Sequence, residues 1–150
     1  MERLMYKKIK LTELKQLVDK RGSVLHMLRN DDEDFVSFGE CYFSEILPGV
    51  IKGWKRHNKQ TQNISVPVGV LKFVIYDTSN EQDKNNIHEF TIGRPDRYYR
   101  LKIPPGIWYS FRCISEQTAL IVNCVDIPHD PSETDTLEII NDKIPFNWNV

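Results

Sequence analysis

The chain has 150 residues, with 20 basic and 21 acidic side chains and a formal net charge of −1. This length fits one domain with a single core, so we expect residues 1–150 to form one domain. The balanced charge excludes recruitment of nucleic acid by bulk attraction. No stretch approaches the roughly 20 apolar residues of a membrane helix, and Met1 to Leu11 lacks the apolar middle of a secretory signal. We therefore expect a cytoplasmic protein that does not enter a membrane.

The first predicted element is a short helix from Thr12 to Val18. Thr12 is a suitable N-cap, and Leu14, Leu17 and Val18 recur at the spacing of one helix face. No other segment of the chain favours a helix.

From Ser23 onward, short apolar runs separated by turn residues predict strands. The predicted strands cover Val24 to Leu28, Phe35 to Phe38, Cys41 to Leu47, Ile64 to Val68, Val70 to Tyr76, His88 to Ile92, Tyr99 to Ile103, Trp108 to Cys113 and Thr118 to Val125. The clearest alternation places Leu71, Phe73 and Ile75 on one face. So many short strands indicate an all-β sandwich or barrel. Past Pro128 we expect an irregular tail that docks on the sheets through two aromatic residues near the end.

The three cysteines, Cys41, Cys113 and Cys124, are odd in number and far apart in the sequence. They have no Cys-x-x-Cys spacing, so neither a disulfide framework nor a zinc site is indicated. We predict three buried, reduced thiols.

The segment from Gly49 to Gly69 has the spacing of the first cupin motif, and Ile103-Pro104-Pro105-Gly106 has the character of the second. The chain therefore resembles cupins, which implies an all-β double-stranded β-helix, or jelly roll. The three ligand positions of the first motif fall on Lys55, His57 and Gln62, and Tyr109 takes the fourth. Among these four, only His57 is a good ligand for a transition metal. We expect no metal and no other cofactor.

The same frame resembles a narrower family, the dTDP-4-dehydrorhamnose 3,5-epimerases and their relatives in surface-polysaccharide pathways. The resemblance runs from about residue 19 to residue 148. It is carried by Asp19-Lys20-Arg21-Gly22, Gly49-Val50-Ile51-Lys52-Gly53, Ile103-Pro104-Pro105-Gly106, the Asp126 to Glu133 stretch, and Phe146-Asn147-Trp148. The resemblance implies a nucleotide-sugar ligand, contacted by Arg21 and Lys52, and a homodimer that exchanges its first strand.

The family's catalytic groups are replaced at their matching positions. By motif position the base falls on Lys55, the enolate-stabilising pair on Gln62 and Tyr109, and the opposite-face tyrosine on Val122. The family's supporting aspartate has no counterpart, because the sequence ends at Val150.

Two functions remain open. In an isomerase or epimerase, Lys55 enclosed in the barrel is the base, Tyr109 is the acid or oxyanion donor, and His57 is a second proton carrier. In a catalytically silent cupin, Lys55, Arg56 and His57 bind a sugar nucleotide or carbohydrate without turnover. Gln62 joins the substrate-binding residues in both. A pure interaction module is a third alternative.

Overall fold

A computed structural model describes residues 9–78, 82–83 and 86–150. Residues 1–8, on which the expectation about secretion partly rests, lie outside the described part. The strands of the described part are β1 (Lys10–Glu13), β2 (Gln16–Asp19), β3 (Gly22–Leu25), β4 (Glu40–Ile46), β5 (Ile51–His57), β6 (Gln62–Val68), β7 (Val70–Tyr76), β8 (Ile87–Gly93), β9 (Tyr99–Ile103), β10 (Trp108–Cys113), β11 (Ala119–Val125) and β12 (Thr134–Leu137). One turn of 3₁₀ helix, Pro131–Glu133, precedes β12.

Two five-stranded antiparallel sheets form the body of the molecule. The first has the order β1-β9-β6-β11-β4 and the second the order β12-β5-β10-β7-β8, while β2 and β3 form a separate two-stranded ribbon. This architecture confirms the predicted all-β jelly roll. Within the described residues, no helix has the length and apolar character needed to cross a membrane.

The space between the two sheets is filled by the larger hydrophobic core. The β7 residues Leu71, Phe73 and Ile75 are fully buried in that core, as their alternation predicts. The intervening residues Val74 and Tyr76 are also buried, but in a second cluster on the outer face of the same sheet. This strand is apolar on both sides because both faces of its sheet are covered.

The C-terminal tail covers the outer face of the second sheet. Phe146 lies edge-on to Trp54, with 6.2 Å between ring centroids, and Trp148 belongs to the same cluster as Trp54 and Trp108. The indole N–H of Trp148 donates to the hydroxyl oxygen of Ser110 at 3.1 Å. The predicted docking of the tail is confirmed.

The predicted helix from Thr12 to Val18 is wrong, because the segment forms parts of β1 and β2. Leu14 is buried and donates its backbone N–H to the carbonyl of Tyr98 at 3.0 Å, whereas Leu17 and Val18 are exposed on the ribbon. The three apolar residues share a helical spacing, yet they point into different surroundings. Three apolar residues are too few for their spacing to distinguish one helix from two short strands.

The strand prediction for Phe35 to Phe38 is also wrong, since this segment is irregular. The guanidinium of the buried Arg100 binds Asp32 and Asp34 at 3.2 and 3.0 Å. These ion pairs fix the loop ahead of β4 on the first sheet. Conversely, the tail past Pro128 contains an unpredicted strand, β12, which pairs with β5.

The cysteines differ in exposure from what the sequence predicts. Cys113 is buried, but Cys41 is exposed and Cys124 is partly exposed, so the prediction of three buried thiols is wrong. Cys41 and Cys124 are opposite each other on β4 and β11, with 3.4 Å between their sulfur atoms. Both residues lie on the outer face of the first sheet, where their strands are open to solvent.

Candidate functional site

A cleft lies between the two sheets, lined by side chains from both. Its inner part has a volume of about 320 Å³ and its outer part about 490 Å³. Tyr42 from β4, Lys55 from β5 and Tyr109 from β10 line both parts, so the two parts are continuous. Their size is in the range of about 300 to 1,000 Å³ that is typical of small-molecule sites.

A β-bulge turns two lysines into this cleft. On β5, Lys55 pairs with Tyr109 and Lys52 pairs with Phe111, so three steps along β5 match two along β10. Without the extra residue, side chains three positions apart would point to opposite faces of the sheet. Both lysines line the inner part of the cleft, and both are exposed to solvent. They give the cleft two positive charges.

His57 connects a tyrosine of the cleft to a buried carboxylate. Its Nδ1 lies 2.9 Å from Oε2 of Glu133, and its Nε2 lies 3.0 Å from the hydroxyl oxygen of Tyr109. Glu133 also accepts hydrogen bonds from the backbone N–H of Gln60 at 2.8 Å and from the Thr134 hydroxyl at 2.9 Å. The carboxylate is therefore held on three sides.

The protonation states in this chain follow from burial and hydrogen bonding. Burial opposes ionisation of Glu133, but the bonds from Thr134, His57 and Gln60 outweigh it and lower the pKa of the carboxyl. Burial also lowers the pKa of His57, against the opposing effect of Glu133. At neutral pH, a neutral His57 thus donates from Nδ1 to ionised Glu133 and accepts at Nε2 from Tyr109. Burial raises the pKa of Tyr109, so its hydroxyl keeps its proton.

On the opposite wall, a chain of buried amides leads to Tyr42. The side-chain N–H₂ of Asn123 donates to the Tyr42 hydroxyl oxygen at 3.0 Å and to Oε1 of Gln62 at 2.6 Å. Gln62 in turn donates to Oε1 of Gln60 at 2.6 Å. Gln62 is fully buried and does not line the cleft. The prediction that Gln62 contacts substrate therefore does not fit its position.

Two other predicted site residues lie away from the cleft. Arg56 points to the outer face of β5, where its guanidinium lies 4.7 Å from the Trp108 ring centroid and 2.8 Å from a carboxylate oxygen of Asp135. Because alternate residues of a strand face opposite ways, Arg56 cannot share the cleft with Lys55 and the prediction for it is corrected. Arg21 is exposed at the turn between β2 and β3, paired with Asp19.

Lys55 lies in the cleft as predicted, but it is not enclosed. The role of base assumed a lysine buried among barrel side chains, and the exposed Lys55 does not meet that condition. Val122 lies on β11 between Ile121 and Asn123, which both line the cleft, and so faces away from it. The matching position of the family's opposite-face tyrosine is thus outside the site.

Sequence reasoning missed three residues of the site: Glu133, Tyr42 and Asn123. Glu133, in the 3₁₀ turn, is bonded to Nδ1 of His57, so this chain has a carboxylate beside its histidine although the family's supporting aspartate has no counterpart. A signal was present, since Asp130-Pro131-Ser132-Glu133 has a capping residue three positions before a glutamate, the pattern of a helical turn. That pattern predicts the turn, but not its contact with a strand 76 residues earlier.

The described residues contain no group of three or more His, Cys, Asp and Glu side chains that could hold a metal ion. Both ring nitrogens of His57 already have hydrogen-bond partners. The arrangement instead fits acid–base chemistry, in which a proton moves between a neutral imidazole and a hydroxyl.

Known proteins resemble this chain in sequence or in fold over most of their length. A solved structure of a dTDP sugar isomerase from Desulfovibrio desulfuricans G20 is 43% identical, with a TM-score of 0.87, over 93% of this chain and 90% of that one. The spore coat polysaccharide biosynthesis protein SpsL of Bacillus subtilis strain 168 is 29% identical, over 94% of this chain and 95% of its own length. A dTDP-4-dehydrorhamnose 3,5-epimerase from Bacillus anthracis, solved with TDP and PPi bound, shares the fold at 19% identity and a TM-score of 0.80, over 97% of this chain and 87% of that one. No family model matches the chain.

Proposed function

Because the chain belongs to the family of dTDP-sugar isomerases and epimerases with the RmlC-like cupin fold, we propose that it isomerises or epimerises a keto-sugar linked to thymidine diphosphate. The product serves the synthesis of a surface polysaccharide. One observation carries the proposal: a neutral histidine is held between an ionised Glu133 and Tyr109 in a cleft that also contains two lysines.

Tyr109 and His57 supply the proton transfer. A base that removes a proton beside a keto group leaves an enolate, and a proton is later delivered to the opposite face in an epimerisation or to the neighbouring carbon in an isomerisation. As the tyrosine oxygen takes the carbon-bound proton, its own proton passes to Nε2 of His57, and the electron pair moves to the sugar oxygen. Glu133 stabilises the imidazolium that forms and holds the ring in the required tautomer.

Lys52 and Lys55 bind and stabilise negative charge. A nucleotide sugar carries a diphosphate, and reaction at its keto group places a further negative charge on oxygen. Lys55 lies beside Tyr109 in the strand pairing, so we assign it to the enolate. Lys52 lies further along β5 and lines the same inner part of the cleft, so we assign it to the diphosphate.

The proposal includes a homodimer in the cytoplasm. The resemblance implies exchange of the first strand, and the exposed turn that carries Arg21 belongs to a ribbon separate from both main sheets of its own chain. Across a dimer, Arg21 of the partner subunit contacts the nucleotide. The three free thiols support a reducing compartment.

Product analysis tests this function. We expect NMR to show conversion of dTDP-4-keto-6-deoxyglucose by the wild-type protein, and loss of conversion in His57→Gln with retained binding of dTDP by calorimetry. Binding of dTDP without conversion of this or related dTDP-keto-sugars would favour the silent cupin. Absence of both conversion and binding would leave an interaction module.

A further inference from the structure

The two tyrosines of the cleft come from different sheets, and the hydroxyl of each has a side-chain hydrogen-bond partner. Tyr109 on β10 is bonded to His57, and Tyr42 on β4 is bonded to Asn123. Both line the inner and the outer part of the cleft. What each hydroxyl presents to a ligand depends on where its own proton points.

The direction of the amide chain behind Tyr42 is fixed at both ends by backbone groups. The side-chain N–H₂ of Gln60 donates to the carbonyl of Ile127 at 2.8 Å, and a carbonyl can only accept. The Oδ1 atom of Asn123 accepts from the backbone N–H of Asn63 at 3.2 Å, and an N–H can only donate. Gln62 lies between these two anchored amides, so all three have one orientation.

With this orientation, Asn123 donates to Tyr42 and not the reverse. The tyrosine oxygen accepts that bond, so its own O–H is free to point into the cleft. The amides behind it, Gln60, Gln62 and Asn123, are at most 3% exposed, which shields the chain from rearrangement by water. The hydrogen bond of Tyr109 runs in the opposite direction, because its O–H donates to neutral His57 and its lone pairs face the cleft.

We propose that Tyr42 is a further catalytic residue, the donor to the keto oxygen where the enolate forms, and that Gln60, Gln62 and Asn123 are positioning residues that set its direction. This inference rests on the proposed function and assigns proton removal and stabilisation of the enolate oxygen to different residues. Tyr109 accepts the carbon-bound proton, while Tyr42 and Lys55 stabilise the oxygen that receives the electron pair. Gln60 links the two sides, since its backbone N–H binds Glu133 and its side chain starts the amide chain.

Removal of the donor tests the first half of this inference. Tyr42→Phe takes away only the hydroxyl, and loss of one such donor lowers kcat roughly 100-fold or more. We expect that loss in the conversion of dTDP-4-keto-6-deoxyglucose, with the dissociation constant of dTDP changed by less than about threefold, because ground-state contacts remain.

Reversal of the amide tests the second half. In Asn123→Asp the carboxylate accepts the Tyr42 proton and turns it away from the cleft, so we expect a similar fall in kcat. Because both changes disable one donor, Tyr42→Phe with Asn123→Asp is expected to be no slower than Tyr42→Phe alone. Asn147→Asp on the exposed tail is the matched control, with wild-type kcat. Asn123→Leu, which removes the donor to Tyr42 without a buried charge, replaces Asn123→Asp if that variant does not fold.

The outcomes separate this inference from the function beneath it. A wild-type protein that converts no dTDP-keto-sugar would overturn both. An active wild type whose Tyr42→Phe variant keeps its kcat within about threefold would overturn the catalytic role of Tyr42 alone. Losses that add in the double variant would show that the amides act through stability rather than through Tyr42, and would overturn their positioning role.

Discussion

His57 and Glu133 are 76 residues apart in the sequence, and Nδ1 of one lies 2.9 Å from Oε2 of the other. The contact exists because β12 pairs with β5. Thr134, the first residue of β12, lies opposite His57, and this pairing holds the preceding 3₁₀ turn beside the cleft. A neutral histidine with a carboxylate on one nitrogen and a tyrosine on the other can store one proton close to substrate.

The pH dependence of activity reports on this pair. We expect kcat/KM to fall as the pH drops through the pKa of His57, which burial holds below its ordinary value of 6.5. Glu133 counteracts that effect of burial. Glu133→Gln therefore moves the acid limb of the pH profile to still lower pH and reduces kcat roughly 100-fold, because the imidazolium loses its counter-ion. A limb that stays in place or moves upward would contradict the assigned protonation states.

Ligand affinity reports on the positive charge of the cleft. Lys52→Met is expected to weaken dTDP binding about tenfold at low salt, and by less at high salt, because ions screen exposed charges. Calorimetry at two ionic strengths measures both values. Lys72→Met is the control, since Lys72 lies on the outer face beside Phe146 and pairs with Glu89. Equal weakening by the two variants would mean that no local site is involved.

The folding stability reports on the tail. Trp148 is 5% exposed, and Trp148→Ala removes its packing and its bond to Ser110. We expect a loss of about 3–5 kcal/mol in the free energy of unfolding, measured by denaturant titration. Val150→Ala, at an exposed position, is expected to change stability by less than about 0.5 kcal/mol. A small effect of Trp148→Ala would show that the tail does not stabilise the second sheet.

The role of Arg21 depends on the oligomer. We expect light scattering to give twice the chain mass of 17.6 kDa. Arg21→Ala is then expected to weaken dTDP binding several-fold while the dimer persists, whereas Lys20→Ala at the same turn has little effect. If the protein is a monomer, and its Arg21→Ala variant binds dTDP with unchanged affinity, then Arg21 of a partner subunit does not contact the nucleotide.

Sequence reasoning was strongest where local pattern determines structure. Alternation predicted the buried face of β7, and motif spacing predicted that Lys55, His57 and Tyr109 meet. Alternation alone also excludes Arg56 from the cleft, since it lies between Lys55 and His57 on one strand. The bulge that turns Lys52 inward could not be predicted this way, because the extra residue appears only in the pairing of β5 with β10. Glu133 likewise reaches the site through long-range strand pairing.

Transfer of solvent hydrogen to sugar carbon tests the central claim most directly. In heavy water, the wild-type protein is expected to introduce deuterium beside the keto group of dTDP-4-keto-6-deoxyglucose, detected by mass spectrometry. Tyr109→Phe is expected to bind dTDP normally and to introduce none. Absence of label with the wild-type protein, or equal labelling by Tyr109→Phe, would contradict the account of the cleft as a site of proton transfer.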